Sequence, residues 1–431
     1  MRSESGKKPG LGTTAATSLV VANMIGTGVF VSLGYQLVDF HSAPPILLLW
    51  ITGGIIALCG ALAYAALAKC LPRSGGEYHF LGSIYHPSLG FMAGWLSAIF
   101  GFSVPTAITA LAMGGYLSKA WDGVPARAAA VIVISLGTLA HGLSAKMSGR
   151  VQFYSTLLKL LLISSFLAAG FFLPGHGDIR WEFLPGEDLK QVLQPAFATA
   201  IFYVFYSYSG WNAAVYGLEE WNEPGKTVKR ALIGGTLVVT LLYVGLNAAF
   251  LQAAPMAALR GEREIAHAAA AAMFGSGVGK LISALFALGL FASVSALLWA
   301  GPRVLGAMGR DVSSMRFFAP SDRSGIPLRA LALQSILACA LVLGGDFEFL
   351  INYTQTGLTL CTLLSVFGLM LLKHRGHSVP ASAWVPALIF ILFTGYIIVR
   401  LFFTEPWPAA CGIATSVACA LLWFPTRQKS S

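Results

Sequence analysis

The sequence ANMIGTGVF, residues 22–30, lies in the middle of the first long apolar segment of the chain, residues 15–37. That segment is long enough to cross a bilayer. Glycine is a poor helix former, so Gly26 and Gly28 on either side of Thr27 predict an interruption of the helix. Backbone N–H and C=O groups without helical partners are tolerated at membrane depth only where they are buried in protein or line a cavity. The interruption therefore predicts a place where something polar binds near the middle of the membrane.

The composition of the whole chain is that of an integral membrane protein. Of its 431 residues, 56% are hydrophobic and only 11% are charged, whereas soluble proteins carry roughly 25% charged residues. The mean hydropathy is +0.72. A spanning helix needs about 20 apolar residues. We predict an all-α protein with twelve transmembrane helices, at approximately residues 12–38, 46–69, 89–118, 126–145, 151–173, 193–218, 231–254, 278–300, 328–345, 349–372, 384–403 and 406–425.

The net charge of +10 follows the predicted topology and does not indicate a nucleic-acid surface. With the N-terminus in the cytoplasm, the cytoplasmic segments hold 19 of the 28 Lys and Arg residues, and the external loops hold 8. This is the positive-inside bias of membrane proteins. We therefore expect a multi-pass protein of the cell membrane, in contact with the lipid bilayer, with both termini cytoplasmic and no nucleic-acid partner.

Several other functional classes lack a sequence signal. The six cysteines and eight histidines show no metal-ligand spacing, so we expect no metal site and no disulfide framework. The sequence GSGVGK at 275–280 is similar to a phosphate-binding loop, but Phe274 stands where the first glycine is required and Leu281 replaces Ser or Thr. We expect no cofactor and no ATP hydrolysis. A membrane enzyme would need clustered nucleophiles or carboxylates, and a channel would need a polar stripe lining a pore.

The sixth predicted span has an interruption like that of the first. Its sequence YSYSGW, residues 206–211, places small and polar residues inside an apolar run. Close helix packing can explain either interruption alone, but two of them five spans apart indicate an inverted-repeat transporter with its site between them. The predicted divisions are an N-terminal tail at 1–11, a transport core at 12–373 with repeats at about 12–173 and 193–373, two accessory helices at 384–425, and a C-terminal tail at 426–431.

The two interruptions offer donors on one side and acceptors on the other. The half-helix that starts near residue 29 presents its N-terminus, which is an anion site. The end of the preceding half-helix and the sixth span present carbonyl oxygens. This arrangement suits a zwitterion with a carboxylate and an ammonium group, such as an α-amino acid. The predicted substrate-binding residues are Gly26, Thr27 and Gly28 for the carboxylate, Met24, Ile25, Tyr206 and Ser209 for the ammonium group, and Ser207 and Gly210 beside them.

Lys159 is the one charged residue deep inside a predicted span. It lies nine residues from Arg150, which places it roughly 13 Å from the membrane edge at about 1.5 Å per residue. A lysine at the centre of a helix costs on the order of 3 kcal/mol to insert. Three readings remain open: a structural lysine that caps exposed carbonyls, a fixed cation that stands in place of a sodium ion, or a carrier of protons.

Residues at the end of the sixth span could control access to the site. Tyr206, Tyr208 and Trp211 are candidate aromatic gates. The pair Glu219-Glu220 is typical of a solvated helix end, and the alternative is a gating ion pair with Arg303 or Arg310.

Four short motifs resemble the amino acid–polyamine–organocation (APC) superfamily, over about residues 12–375. The resemblance implies a LeuT-type fold with a 5+5 inverted repeat and discontinuous helices 1 and 6. The motifs are NMIGTGVF at 23–30 for G-[SAT]-G-[IV]-F, PRSGGEY at 72–78 for P-x-S-G-G-x-Y, YSGWN at 208–212 followed by Glu219-Glu220, and PRVL at 302–305 with Met308, Arg310 and Asp311.

Within the superfamily, VQ at 151–152 and LKLL at 158–161 resemble the L-type amino acid transporters. In that branch a lysine of span 5 takes the place of a sodium ion and contacts the break of span 1 and a serine of span 8. The resemblance assigns these gating and coupling roles to Lys159 and Ser293, together with Tyr206 and Trp211 as gates, and it implies sodium-independent transport by exchange or by proton symport. Animal members bond to a heavy chain through a cysteine between spans 3 and 4, but residues 118–126 contain none, so no disulfide-linked heavy chain is expected.

The sequence therefore predicts an amino acid permease that works by alternating access, and not an enzyme. Neutral L-amino acids are favoured because no acidic residue falls in the core of a predicted span to recognise a cationic side chain. The alternative is a transporter of amines, polyamines or cationic amino acids from the same superfamily. An amine would leave the N–H groups of the first interruption unused.

Overall fold

The structure is a computed structural model that describes residues 12–143, 145–320, 326–345 and 347–427. The predicted N-terminal tail and residues 428–431 of the predicted C-terminal tail lie outside the described residues. Throughout the described ranges the regular structure is helical, apart from one isolated bridge between Ser42 and Arg180. The prediction of an all-α protein is confirmed.

Nineteen α-helices follow one another along the described chain. The chain begins with α1 Thr13–Met24, α2 Gly28–Asp39, α3 Ala43–Cys70, α4 Glu77–Ile84, α5 Pro87–Leu96, α6 Val104–Ala120, α7 Ala126–Leu143 and α8 Ala145–Phe172, with a π-helical segment, Ser97–Ser103, between α5 and α6. Next come α9 Pro185–Leu193, α10 Pro195–Ser207, α11 Pro224–Ala253, α12 Met256–Leu259, α13 Ile265–Phe274 and α14 Ser276–Asp311. The chain ends with α15 Leu328–Gly344, α16 Phe347–His374, α17 Trp384–Thr404, α18 Pro406–Leu421 and α19 Trp423–Arg427.

Many of these helices can cross a membrane. In the described part of the chain, eight helical stretches are long and apolar enough to do so, and the bent pair α1–α2 makes a ninth if it counts as one span. Exposed apolar side chains, such as Leu139, Leu241 and Leu392, cover the outside of the bundle, as expected for a surface that contacts lipid. The prediction of a multi-pass membrane protein is confirmed, and the number twelve stays a prediction.

Both interruptions are present at the residues that the sequence indicated. Helix α1 ends at Met24 and α2 begins at Gly28, with a bend of 41° between them. Helix α10 ends at Ser207, and turns and two short 3-10 helices, Ala213–Val215 and Leu218–Glu220, continue the chain to α11. Inside the bundle, α1 contacts α11 and α14, and α10 contacts α2 and α3. The broken helices are therefore surrounded by protein, as unpaired backbone groups in a membrane require.

The two interruptions pack directly against each other, and glycine makes the contact possible. Gly210 has a φ of 100°, which side chains other than glycine rarely adopt. A Cβ atom at Gly210 would lie 2.8 Å from the carbonyl oxygen of Asn23. A Cβ atom at Gly28 would overlap the side chain of Ser207. Both glycines therefore bring the backbones of α1–α2 and of the segment after α10 together.

Gly210→Ala is expected to lower the thermal stability of the purified protein because it strains the backbone and pushes against Asn23. We expect a loss of about 1–3 kcal/mol, measured as a fall in melting temperature in detergent. Gly234→Ala is the matched control, since Gly234 lies within α11 with no atom within 4 Å of a new Cβ, and alanine favours a helix. Equal melting temperatures for Gly210→Ala and the unchanged protein would contradict this account.

Candidate functional site

A cavity of about 590 Å³ lies between the two interruptions and extends towards the side predicted to be cytoplasmic. Its far end is lined by Ser74, Glu219 and Arg310, all in segments predicted to face the cytoplasm. Of the nine residues predicted to bind substrate, only Ile25 does not border this cavity. The other eight are Met24, Gly26, Thr27, Gly28, Tyr206, Ser207, Ser209 and Gly210.

A second, smaller cavity of about 90 Å³ lies on the opposite side of the interruptions. It is lined by residues of α2 and α10 such as Tyr35 and Tyr203. Thr27, Gly28 and Tyr206 border both cavities. These three residues therefore form the layer that separates the large inner cavity from the small outer one.

The first interruption offers backbone donors at the start of α2. The N-terminal N–H groups of a helix have no helical partner, and the positive end of its dipole favours an anion. The N–H of Gly26 is already used, since it donates to the carbonyl of Met24 at 2.8 Å. The donors for an anion are therefore the N–H groups at the start of α2, near Thr27 and Gly28.

The carbonyls of Met24 and Ile25 are occupied by groups of the protein. The Met24 carbonyl accepts from the Tyr243 hydroxyl at 2.6 Å as well as from Gly26. The Ile25 carbonyl accepts from Lys159 Nζ at 2.6 Å and from Ser293 Oγ at 2.9 Å. A ligand ammonium group would have to displace one of these donors. In the described chain no protein donor bonds to the Ser209 carbonyl, which lies on the cavity wall.

Lys159 is buried against the first interruption and does not border the cavity. It is 2% exposed, and its amine donates to the carbonyls of Ala22 at 3.2 Å and Ile25 at 2.6 Å and to Ser293 Oγ at 3.0 Å. Among the described residues, no carboxylate lies within 4 Å of this amine. Lys159 therefore joins α8, α14 and the end of α1 through neutral acceptors only.

The aromatic residues at the end of α10 and just after it have different surroundings. Tyr206 is half-buried and borders both cavities. Trp211 borders the inner cavity and packs between Tyr64 and Phe390, with ring centroids 4.8 and 5.6 Å away. Tyr208 is fully buried, and its hydroxyl donates to the Trp50 carbonyl at 2.8 Å. Tyr208 does not border either cavity, because its ring points into the contact with α3, and a gating role for it stays a prediction.

The cytoplasmic gating pair proposed from the sequence remains a prediction, and a different ion pair lies nearby. Arg73 pairs with Asp311 at 2.7 Å, and the Tyr78 hydroxyl donates to the same carboxylate at 3.2 Å. Burial and the neighbouring carboxylate raise the pKa of Tyr78 above its ordinary value, so this hydroxyl keeps its proton and its hydrogen bond. The Glu219 N–H donates to Ser74 Oγ at 2.9 Å, and the side chain of Glu220 lies outside the described residues.

Glu77 is a cavity residue that the sequence analysis missed. Its side chain is 2% exposed, and its carboxylate accepts from Tyr64 at 2.7 Å, Asn212 at 2.6 Å and Tyr216 at 2.7 Å. The motif PRSGGEY contains this residue, but its position after the third helix gave no sign of burial. Other lining residues without a sequence signal are Phe102, Pro105, Thr109, Gln355, Leu358 and Thr359.

A multi-pass helical protein in which two interrupted helices meet at a central cavity has the architecture of a membrane transporter. The comparison with known families agrees. A family model described as amino acid permease matches residues 11–424. The chain belongs to this amino acid permease family of the APC superfamily, and the predicted amino acid permease is confirmed.

Characterised relatives match along most of their length. The chain is 26% identical to the Asc-type amino acid transporter 1 of Mus musculus, with 97% of this chain and 81% of the relative aligned. It is 27% identical to the large neutral amino acids transporter small subunit 2 of Homo sapiens, with 95% and 78% aligned. It is also 27% identical to the serine/threonine exchanger SteT of Bacillus subtilis (strain 168), with 89% of each chain aligned.

Lys159→Met is expected to destabilise the fold because the carbonyl of Ala22 loses its donor and that of Ile25 keeps only one. We expect a loss of about 1–3 kcal/mol, measured as a lower melting temperature in detergent. Lys229→Met is the matched control, since Lys229 is exposed on α11. If the two variants melt at the same temperature, the hydrogen bonds of Lys159 do not stabilise the interruption.

Proposed function

We propose that this protein moves neutral L-amino acids across the cell membrane by alternating access between the two sides of the interrupted helices. The observation that carries the proposal is the meeting of helix-start donors and carbonyl acceptors at one cavity wall, near Gly28 and Ser209. That pairing fits the carboxylate and ammonium groups common to all α-amino acids.

The architecture that we propose has twelve spans in a LeuT-type 5+5 inverted repeat. The eight long helices and the bent pair give nine spans, and three shorter apolar helices at 156–172, 195–207 and 328–344 bring the total to twelve. An even number of spans places both termini on one side, which the positive-inside bias assigns to the cytoplasm. The proposed divisions are the core at 12–373, with its two repeats, and the accessory helices at 384–425.

In the proposed binding mode the carboxylate lies at Thr27 and Gly28, and the ammonium group lies near the carbonyls of Ser209 and Tyr206. Met24 and Ile25 contribute only if a protein donor moves aside, since their carbonyls already accept two hydrogen bonds each. Tyr206 acts as the gate between the cavities. Neutral substrates are favoured because Glu77, the buried carboxylate that the described residues place on the cavity wall, is already held by three donors.

We propose transport without sodium. The Lys159 amine fills the position between the carbonyls of Ala22 and Ile25 and the Ser293 hydroxyl, where oxygen ligands would otherwise hold a cation. Exchange is favoured over proton symport, because the Bacillus subtilis relative is a serine/threonine exchanger by name. The absence of a cysteine at 118–126 supports a permease without a disulfide-linked heavy chain.

A competition panel in liposomes tests the substrate class. Each of the twenty amino acids, and one polyamine, competes against a radiolabelled neutral amino acid for uptake by the purified protein. We expect neutral L-amino acids to compete and the polyamine to have no effect. Competition by the polyamine or by lysine and arginine, in place of neutral amino acids, would favour the alternative of an amine or cationic amino acid transporter.

Gly26→Val is expected to raise the half-saturation concentration for amino acid at least about tenfold, which corresponds to about 1.4 kcal/mol of binding. The valine side chain would fill space that the substrate needs, because Gly26 borders the inner cavity. It would not disturb the protein itself, since the nearest atom to a Cβ at Gly26 is the Met24 carbonyl oxygen at 3.9 Å. Radiolabelled uptake and the melting temperature are both measured. Gly28→Val is unsuitable, since it would overlap Ser207 even without a ligand. Unchanged uptake by a folded Gly26→Val protein would refute the site.

Replacing sodium by choline on both sides of the membrane is expected to leave amino acid exchange in proteoliposomes unchanged. The physical reason is that the Lys159 amine already supplies the fixed positive charge. A pH-sensitive dye inside the same liposomes tests proton symport. Acidification of the lumen during uptake that disappears in Lys159→Met would show that Lys159 carries a proton, and a strict need for sodium would contradict the proposal.

A further inference from the structure

Glu77 is an unusual buried carboxylate. Two carboxylates are buried in the described part of the chain, Glu77 and Asp188. Asp188 pairs with Arg180 at 2.8 Å, but no cationic nitrogen of the described residues lies within 4 Å of Glu77. Burying an unpaired carboxylate is costly unless hydrogen bonds replace its water. Three neutral donors provide them.

The three donors come from two different parts of the bundle. Tyr64 belongs to α3, whereas Asn212 and Tyr216 belong to the segment that follows α10. Glu77 itself is the first residue of α4. The carboxylate therefore ties three elements together at one point on the wall of the inner cavity.

The neighbouring backbone holds the same segment at two further points. The N–H of Gly75 donates to the Tyr216 carbonyl at 3.1 Å, and the N–H of Glu219 donates to Ser74 Oγ at 2.9 Å. A Cβ at Gly76 would lie 2.6 Å from the Tyr216 ring, so glycine allows this close approach. Residues 74–77 thus hold the chain from residue 212 to residue 219.

The held segment has little internal support of its own. Between the end of α10 and the start of α11 it contains turns and two 3-10 helices of three residues each. Short 3-10 helices have poorer hydrogen-bond geometry than α-helices. Asn212, Tyr216 and Glu219 line the inner cavity, so the position of this segment sets the width of the cavity.

We propose that Glu77 is a positioning residue that holds the non-helical segment after α10 in the arrangement where the cavity extends to the predicted cytoplasmic side. The proposal goes beyond the transport function, because it names Glu77 as the group that sets the equilibrium between the state open to the cytoplasmic side and the state open to the outer side. A carboxylate suits the role because its two oxygens accept all three bonds, and charge-assisted bonds are stronger than neutral ones. A glutamine in its place has one acceptor oxygen and no charge.

The test compares the solvent access of the inner cavity with that of the outer cavity, in purified protein without any amino acid. One reporter cysteine replaces Ala307, on the inner cavity, and another replaces Val31, on the outer cavity, each after the six natural cysteines are changed to alanine. The rate of reaction with a water-soluble thiol reagent measures access. Glu77→Gln is expected to slow labelling of the inner reporter about tenfold and to speed labelling of the outer reporter.

Further variants separate a positioning role from a general structural one. Tyr216→Phe, which removes one donor, should act in the same direction, and adding it to Glu77→Gln should give no further change. Glu77→Asp keeps the charge. On a logarithmic scale, its labelling rates should recover at least half of the difference between Glu77→Gln and the parent protein. Glu182→Gln, on an exposed loop residue, is the matched control and should change neither reporter.

Faster labelling of both reporters in Glu77→Gln would mean a loosened fold and would overturn the proposal. Rates within twofold of the parent protein at both reporters, or faster labelling of the inner reporter alone, would also overturn it. Because the measurement uses no amino acid, a failure here is distinguishable from a failure of the proposed transport function, which the competition panel tests separately.

Discussion

The structure depends on the contact between two interrupted helices. The Tyr243 hydroxyl bonds to the carbonyl of Met24 at 2.6 Å and to the carbonyl of Ser207 at 3.0 Å, which are the residues where α1 and α10 end. Gly210 and Gly28 remove the side chains that would keep these backbones apart. A membrane interior offers no water to exposed peptide groups. Each interruption therefore supplies part of the environment that makes the other possible.

Lys159 supplies hydrogen-bond donors to backbone carbonyls at the end of α1 that have no helical partner. A helix that ends inside the membrane leaves carbonyl oxygens without donors, and the lysine amine reaches those of Ala22 and Ile25 while also bonding to Ser293. The positive charge lies beside the negative end of the α1 dipole, where a cation is favoured. The helices that contribute these groups, α8 and α14, are thereby connected to the segment that borders the cavity.

The structure is asymmetric about the interruptions, and the asymmetry has a local cause. Thr27, Gly28 and Tyr206 separate a large inner cavity from a small outer one. On the inner side, α10 is followed by turns that leave room between the walls. On the outer side, α2 and α10 continue as regular helices in contact with each other. The helices α2 and α10 pack closely on the outer side, whereas α1 and the non-helical segment after α10 border the open space on the inner side.

Much of this could be predicted from local sequence, because hydropathy and glycine act through the backbone nearby. The apolar segments predicted α3, α11 and α17 to within several residues, and the glycines around Thr27 indicated where α1 would end. Distant partners are different, since hydrogen bonds between helices depend on their packing. The engagement of the Met24 carbonyl by Tyr243, the burial of Tyr208 and the bonds of Glu77 all needed neighbours from other helices.

The sequence by itself determined the class of the protein, the sites of the two interruptions and the one lysine deep inside a predicted span, because each follows from the cost of placing particular residues in a lipid environment. Only the tertiary structure decided which carbonyls remain for a ligand, why Gly28 must lack a side chain, and which carboxylate lines the cavity. Those features depend on how close α1, α3 and the segment after α10 lie to one another. The pattern of residues along one helix carries no information on that distance.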